Sequence, residues 1–224
     1  MPKDWENIYQ DLGDLGYKIL PRIKKASALF KTKGYQKILD LGCGTGRHSL
    51  FLAGQGFSVY ASDISQTAVK IAAEKAAELS LDIQFLQHDM RDIPFDDSFF
   101  DAVICTWTLH HGMLAQIQKT VDEVHRVLVK GGIFLTDIPS VTTDGAKNGI
   151  EIEKNTLIGK GGGEDDVPHH YSTKEEIITL FKKFRELKVH LQTTTEYYRA
   201  DKVYVKNKKG IPYKSRRYNI EAVK

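Results

Sequence analysis

An apolar run, Ile38-Leu39-Asp40-Leu41, passes without a break into Gly42-Cys43-Gly44-Thr45-Gly46-Arg47, three alternate glycines followed by a helical pattern. Few folds accommodate such a run. Glycine permits tight turns and lets a ligand approach the main chain where a Cβ would collide. A helix that starts near Arg47 directs its unpaired N–H groups into the loop, a field suited to a carboxylate. The run therefore predicts a strand, a ligand-cradling loop and a helix in succession.

The rest of the chain repeats the alternation that this unit begins. Strands are expected at Lys37–Leu41, Phe57–Ala61, Ile83–Gln87, Asp101–Thr106 and Ile133–Ile138. Helices are expected at His48–Ala53, from the Ser65 cap to about Leu79, and from Met113 to Val129, the last stopped by Lys130-Gly131-Gly132. Ser172-Thr173-Lys174-Glu175 has capping-box form and opens a helix to Phe184. Leu187–Thr193 and Tyr218–Val223 read as two final strands, antiparallel neighbours. Short strands alternating with helices predict an α/β fold, a parallel sheet wound with helices on both faces.

At 224 residues this is one domain, large enough to bury a core without disulfides or metals. It divides into a helical segment (1–35), a ligand-binding core (36–138), a long loop or lid (139–171), and a C-terminal helix with strands (172–224). The Gly159-Lys160-Gly161-Gly162-Gly163 run inside the loop suits a hinge or a plain surface loop. A 41% hydrophobic fraction and mean hydropathy of -0.36 give no membrane-spanning run, and the polar, acidic Met1–Asp14 is no secretory signal, so a cytoplasmic protein is expected. Cys43 and Cys105 sit in apolar runs and read as buried thiols. The net charge of +3 is too small to announce a nucleic-acid partner. The tail from Arg199 to Lys224 is nevertheless basic, which suits a solvated hairpin or an anionic partner.

A second feature supports a nucleoside-bearing ligand: Asp63 ends the second strand, where an acid in wound sheets accepts hydrogen bonds from ribose hydroxyls. With Asp40-Leu41-Gly42-Cys43-Gly44-Thr45-Gly46, the chain resembles motif I of class I S-adenosylmethionine-dependent methyltransferases. Its G-x-G-x-G spacing departs from the dinucleotide fingerprint, since position 47 is Arg. The resemblance continues through Ser62-Asp63-Ile64-Ser65, His88-Asp89-Met90, Phe100–Ile104 and Arg126–Gly132, covering about residues 35 to 140. Lys130 departs from it, because the family usually has proline before the paired glycines.

The resemblance implies a seven-stranded, mostly parallel Rossmann-like methyltransferase fold with one antiparallel strand near the C-terminus. It implies S-adenosylmethionine as cofactor and S-adenosylhomocysteine as product. Carried over by position, Asp40 would orient the loop, and Gly42, Gly44 and Gly46 would let it pack on the methionine portion. Asp63 would hold the ribose, Ile64 would lie on the adenine face, and Asp89 would accept from the adenine amino group. The Met90 N–H would meet the ring, and the Thr106 carbonyl would face the cofactor amine. Trp5-Glu6-Asn7-Ile8-Tyr9 resembles an aromatic segment that folds over the cofactor in many relatives; aromatic anchors of a terminal helix read equally well.

Methyl transfer from a sulfonium is an in-line displacement with a neutral leaving group, so alignment does most of the work and can contribute roughly 7–11 kcal/mol. No general base is obligatory. The candidates are His111, His170 and Tyr171, with Trp107, His110 and His169 also placed to line an acceptor pocket. A His/His/Asp metal cluster lacks i, i+4 spacing, so no metal is expected. Glu151–Thr156 and Pro168–Tyr171 resemble tellurite-resistance-type enzymes of the type 11 group, which implies chalcogen oxyanion or thiol acceptors.

A small-molecule methyltransferase is thus the leading expectation. An RNA or protein methyltransferase using the basic tail is the first alternative. A non-catalytic cofactor-binding protein and a nicotinamide oxidoreductase are the others. Cys105-Thr106-Trp107-Thr108 stands where many amino-group methyltransferases have N-P-P-[YF], which argues against N-methylation of bases. The sequence leaves the oligomeric state open.

Overall fold

The computed structural model describes residues 4–14, 18–144, 146, 148–159, 164, 166–198 and 211–224. Five parallel strands carry the core: β1 (Lys37–Leu41), β2 (Ser58–Asp63), β3 (Ile83–Gln87), β4 (Phe100–Cys105) and β5 (Leu128–Pro139). Two long strands, β9 (Glu186–Tyr198) and β10 (Ile211–Val223), complete a seven-stranded sheet in the order β3-β2-β1-β4-β5-β10-β9. Only β10 runs against its neighbours, pairing antiparallel with both β5 and β9. The expected fold class is therefore the observed one.

Residue alternation along β1 explains the layering. Successive side chains of a strand point to opposite faces. Ile38, fully buried, joins a cluster with Ile23 and Phe30 of α2 (Pro21–Thr32) and Leu52 of α3 (Arg47–Gly54). Leu39, equally buried, joins a cluster with Ile117, Val121 and Val124 of α5 (Leu114–Val127) and Ile177 of α6 (Lys174–Leu180). A strand buried on both faces must be central, and β1 has β2 on one side and β4 on the other. The chain winds outward from β1 to β3, then returns to β4 on the opposite flank. That reversal opens a crevice at the carboxyl ends of β1 and β4, where a wound sheet receives its ligand.

α4 (Gln66–Glu78) begins at Ser65, whose hydroxyl accepts from the Ala68 N–H as expected of a cap. The N-terminal segment forms α1 (Trp5–Leu12) and α2. Both cysteines are buried thiols, and burial pushes them well above the ordinary thiol range.

Several strand ends shift, with β9 running on to Tyr198 and β10 starting at Ile211 because the two pair along their whole length, and three further differences stand out. α5 stops at Val127, and β5 begins before the glycine pair. The glycines serve a bulge instead: the β4–β5 register shifts between Phe100 and Ala102. Gly131 has φ +82°, its N–H donates to the Lys224 carbonyl, and the Lys224 N–H donates to Gly132. A proline before this pair would have no helix to stop. α6 ends at Leu180 because Phe181 and Phe184 turn into the core. The third difference is the long loop, which contains a second sheet of β6 (Ile150–Glu153), β7 (Thr156–Ile158) and β8 (His169–His170). Asn155, at φ +64°, makes its turn. Residues 160–163 of the glycine run lie outside the described residues.

Phe134 is fully buried on β5, its ring 5.8 Å from Phe181 and 6.2 Å from Phe184. Phe134→Ala is expected to lower unfolding free energy by about 3–5 kcal/mol, measured by urea denaturation. A change of under about 1 kcal/mol would mean that this layer does not carry the fold.

Candidate active site

The glycine loop lies over the ends of β1 and β2. The Gly42 and Cys43 N–H groups both donate to the Ser62 carbonyl, each at 2.8 Å, which folds the loop back on β2. Gly42 and Gly44 adopt φ +69° and +53°, a region that costs other residues about 1–2 kcal/mol. Space forbids side chains as well. A Cβ on Gly42 would stand 2.2 Å from the Thr108 methyl, and one on Gly44 would stand 2.5 Å from the Tyr9 hydroxyl. Gly46 is the N-cap of α3, and no side chain caps that helix. Its first N–H groups are thus left to serve an anionic ligand.

Two buried acids brace the loop. Asp63 accepts from the Gly44 N–H through Oδ2 at 2.8 Å and from the Ser65 N–H through Oδ1 at 3.0 Å. Burial raises its pKa against those hydrogen bonds. Asp40, at 2% exposure, accepts from the Ser49 hydroxyl at 2.6 Å. Burial pushes it to about 6, against the Ser49 bond and the Arg47 charge. Ile64, next to Asp63, exposes 49% of its surface at the crevice edge. Met90 is half-buried against the core. Asp89 is engaged otherwise than expected: Arg91 grips both carboxylate oxygens, and that bond holds it below the ordinary carboxylate range.

At the end of β4, Thr106 is held by His48. The Leu20 N–H donates to His48 Nε2, which puts the ring proton on Nδ1, facing the Thr106 hydroxyl at 3.2 Å. Burial, then the charges of Arg47 and Arg22, press His48 down to about 3, so it stays neutral. Trp107 follows in the left-handed region at φ +58°, with the Arg47 guanidinium 4.5 Å over its ring. Strain of this kind persists only where surroundings enforce it. Here Thr108 donates to Gly42 O at 3.2 Å, and the Trp107 N–H faces Asp137. Asp137, 1% exposed, is shared by Arg22 of α2 and Arg217 of β10.

The aromatic N-terminal segment covers this crevice. Glu6 accepts from the Thr67 hydroxyl at 2.6 Å, the Ser65 hydroxyl at 2.7 Å and the Thr67 N–H at 3.1 Å. The Thr67 and Ser65 hydroxyls pull its pKa to about 2. Tyr9 lies over Gly44, and the Trp5 ring lies 4.7 Å from His111.

The histidines divide. His110, His111 and His169 converge beside the crevice, with a ligating nitrogen from each within 4.8 Å of the others. Burial, then His169 and Arg217, push His111 well below the usual imidazole range. His170 is fully buried and turned into the second sheet, between the Thr156 hydroxyl at 2.7 Å and Glu176 at 2.8 Å. Tyr171 is also buried, with its N–H on the Asn155 carbonyl. His111 therefore stands with the crevice, whereas His170 and Tyr171 stand with the neighbouring sheet. Sequence reasoning missed Glu6, His48, Thr108, Arg22, Asp137 and Arg217. Only the position of Glu6 between Trp5 and Tyr9 carried any signal.

Comparison with known proteins places the loop in context. Residues 38–132 match the family model described as "Methyltransferase domain". An uncharacterized methyltransferase of Synechocystis is 37% identical over 99 residues, 44% of this chain and 45% of its own length. A demethylmenaquinone methyltransferase of Clavibacter sepedonicus is 35% identical over 118 residues, 53% of this chain and 46% of its own. The chain thus spans about half the length of the curated relatives it matches. A crystal structure of a Methanosarcina mazei SAM-dependent methyltransferase superposes with TM-score 0.70 over 92% of this chain and 99% of that one, at 20% identity, a likeness of fold.

Asp40 offers a test by linkage. Its folded pKa of about 6 lies above the ordinary 3.8, so its contribution is favourable below about pH 3.8 and is lost as pH rises to about 6. Asp40→Asn keeps an acceptor for Ser49 and removes the buried charge. The variant is expected to be about 1–3 kcal/mol more stable above about pH 6, the gain vanishing near pH 4, by chemical denaturation at each pH. Equal destabilisation at both pH values would refute the buried-charge account.

Proposed function

We propose that the chain is a class I S-adenosylmethionine-dependent methyltransferase, transferring a methyl group from S-adenosylmethionine to a small-molecule acceptor by in-line displacement. The observation that carries this reading is the loop itself: Gly42–Gly46 closed on Ser62, braced by Asp63 and roofed by Tyr9. The residues present fit the cofactor. The N-terminus of α3, which no side chain caps, and the loop main chain take the methionine carboxylate and chain. Asp63 retains acceptor capacity beside its two N–H partners and takes the ribose hydroxyls. Ile64 gives the adenine an apolar face, with the Met90 main chain at the ring edge. Asp89, fixed by Arg91, serves as the acceptor for the adenine amino group. The Thr106 carbonyl is held in place, through its side chain, by His48.

The bound cofactor supplies an electrophilic methyl on a sulfonium whose departure leaves a neutral thioether. This chain's residues align and exclude. Trp107 and Arg47 wall one side of the crevice, and α1 covers the loop, keeping water from the reacting atoms. No residue is required to take a proton from an acceptor that is already nucleophilic. His111, which stands with the crevice, is the candidate for that role; His170 and Tyr171 are bound to the second sheet.

A small acceptor is supported by the surroundings. Among the described residues of the basic tail, Arg216 binds Asp144 and the Thr142 carbonyl, Arg217 binds Asp137, and Lys224 binds the Arg126 and Leu128 carbonyls. These three cations are turned onto the protein while Lys214 is exposed, a balance that disfavours a polyanionic partner. Arg199, Lys202, Lys206, Lys208 and Lys209 lie outside the described residues. Relatives named for demethylmenaquinone, itself a small molecule, agree with this choice. No helix among the described residues is long and apolar enough to cross a membrane.

Calorimetric titration tests the cofactor site. S-adenosylmethionine and S-adenosylhomocysteine are both expected to bind, and Asp63→Ala to weaken both by at least about 10-fold, since a hydrogen bond to a charged group contributes about 1.5–3 kcal/mol. Absence of binding to folded wild-type protein would overturn the proposal.

A further inference from the structure

Three imidazoles gather beside the crevice for which the glycine loop has no use. They come from two segments, the turn after β4 and strand β8. Main-chain bonds hold the segments together: the His170 N–H donates to the His110 carbonyl at 2.9 Å, and the Gly112 N–H donates to the Pro168 carbonyl at 3.1 Å. An isolated β-bridge pairs His111 with His169. Ring centroids lie 4.0 Å apart for His110 and His111, 4.9 Å for His111 and His169, and 5.6 Å for His110 and His169. The backbone thus imposes the convergence before any side chain turns.

Hydrophobic packing does not explain such a cluster. Buried imidazole nitrogens require partners, and His111 Nδ1 is buried without one. The His169 ring is oriented as metal-ligating imidazoles are: Nδ1 faces the Val167 carbonyl at 2.8 Å, which makes Nδ1 a donor. Its Nε2 lies 2.8 Å from a Glu164 carboxylate oxygen. With Nδ1 donating, a neutral ring presents an Nε2 lone pair to a second acceptor. A proton shared between the two satisfies them, and a metal ion that displaces it would take the same lone pairs.

We propose that His110, His111 and His169 form a binding site for one divalent transition-metal ion of the zinc, cobalt and nickel class, with Glu164 as the carboxylate ligand. Imidazole with one carboxylate is a donor set that suits these borderline ions and not calcium or magnesium. The ligating nitrogens of the three histidines lie within 4.8 Å of one another, and Glu164 reaches the group through His169. The opposing term is Arg217, whose Nη2 stands 3.3 Å from His110 Nδ1. That is the weakest of its contacts, for Asp137 takes its Nε at 2.7 Å. Asp137 also serves Arg22, so a positive charge remains nearby and Glu164 is needed to offset it. Trp5 packs on His111, so the covering helix meets this site as well as the cofactor loop.

The test uses tag-free, chelator-treated full-length protein, titrated with zinc by calorimetry and with cobalt(II) by visible absorption. One ion per chain is expected, with the intense d–d bands of low-coordinate cobalt. His111→Ala, His169→Ala and Glu164→Gln are each expected to weaken binding by at least about 10-fold, with His125→Ala, on α5, unchanged. Glu164 lies outside the core, so its variant remains informative should a histidine variant fail to fold. No saturable binding to wild type, or affinity unchanged in folded His169→Ala and Glu164→Gln, would overturn the proposal. Metal binding is read without S-adenosylmethionine, so its failure is distinct from failure of the cofactor site.

Discussion

The Asp63 carboxylate is the interaction on which the site depends. It ends β2, accepts the Gly44 N–H from one side and the Ser65 N–H from the other, and so ties the glycine loop to the start of α4. Ser65 then caps α4 and donates its hydroxyl to Glu6 of α1. One buried acid thereby fixes loop, helix and cover in sequence. The desolvation that raises its pKa is the cost of that position, and the two N–H bonds offset it.

The sheet was legible in the sequence because its information is local and repeated. β1 reads as an apolar run with glycines behind it, and β2 to β4 read as short β-rich segments, the first two separated by helix formers. The two clusters built from Ile38 and Leu39 follow from strand alternation alone. Errors arose where tertiary contacts overrode local signals. Gly131-Gly132 resembles a helix stop, yet its role depends on Lys224, the last residue, arriving beside it. The second sheet was hidden because β6 and β7 are short, and their partner β8 is only His169–His170.

Legibility of the site followed the same rule. Asp40, Gly42, Gly44, Gly46 and Asp63 lie in two short segments that the sequence singles out, and the structure places them together. Asp137, Arg22, Arg217 and His48 come from four separate elements. Their pairing spans separations such as 115 residues for Arg22 and Asp137, and no short motif records it. The i, i+4 rule for metal-binding histidines does not reach the histidine cluster, for a related reason. It describes two ligands on one helix, whereas His110, His111 and His169 meet across a turn and a strand held by main-chain bonds.

The covering helix links these parts physically. α1 touches the body through a charged contact at Glu6, an aromatic one at Trp5 and a hydroxyl at Tyr9, each on a different structural unit. Glu6 keeps its charge to lower pH than an ordinary carboxylate, because the Thr67 and Ser65 hydroxyls hold its pKa at about 2. Its bonds to Ser65 and Thr67 are therefore not a pH-dependent clasp. What can vary is the state of the surfaces that Trp5 and Tyr9 rest on. An eight-residue helix has little intrinsic stability in water, so its position is set by what it covers. Occupants of the loop and of the histidine cluster would both act on this one element, which makes α1 the natural place for the two sites to sense each other.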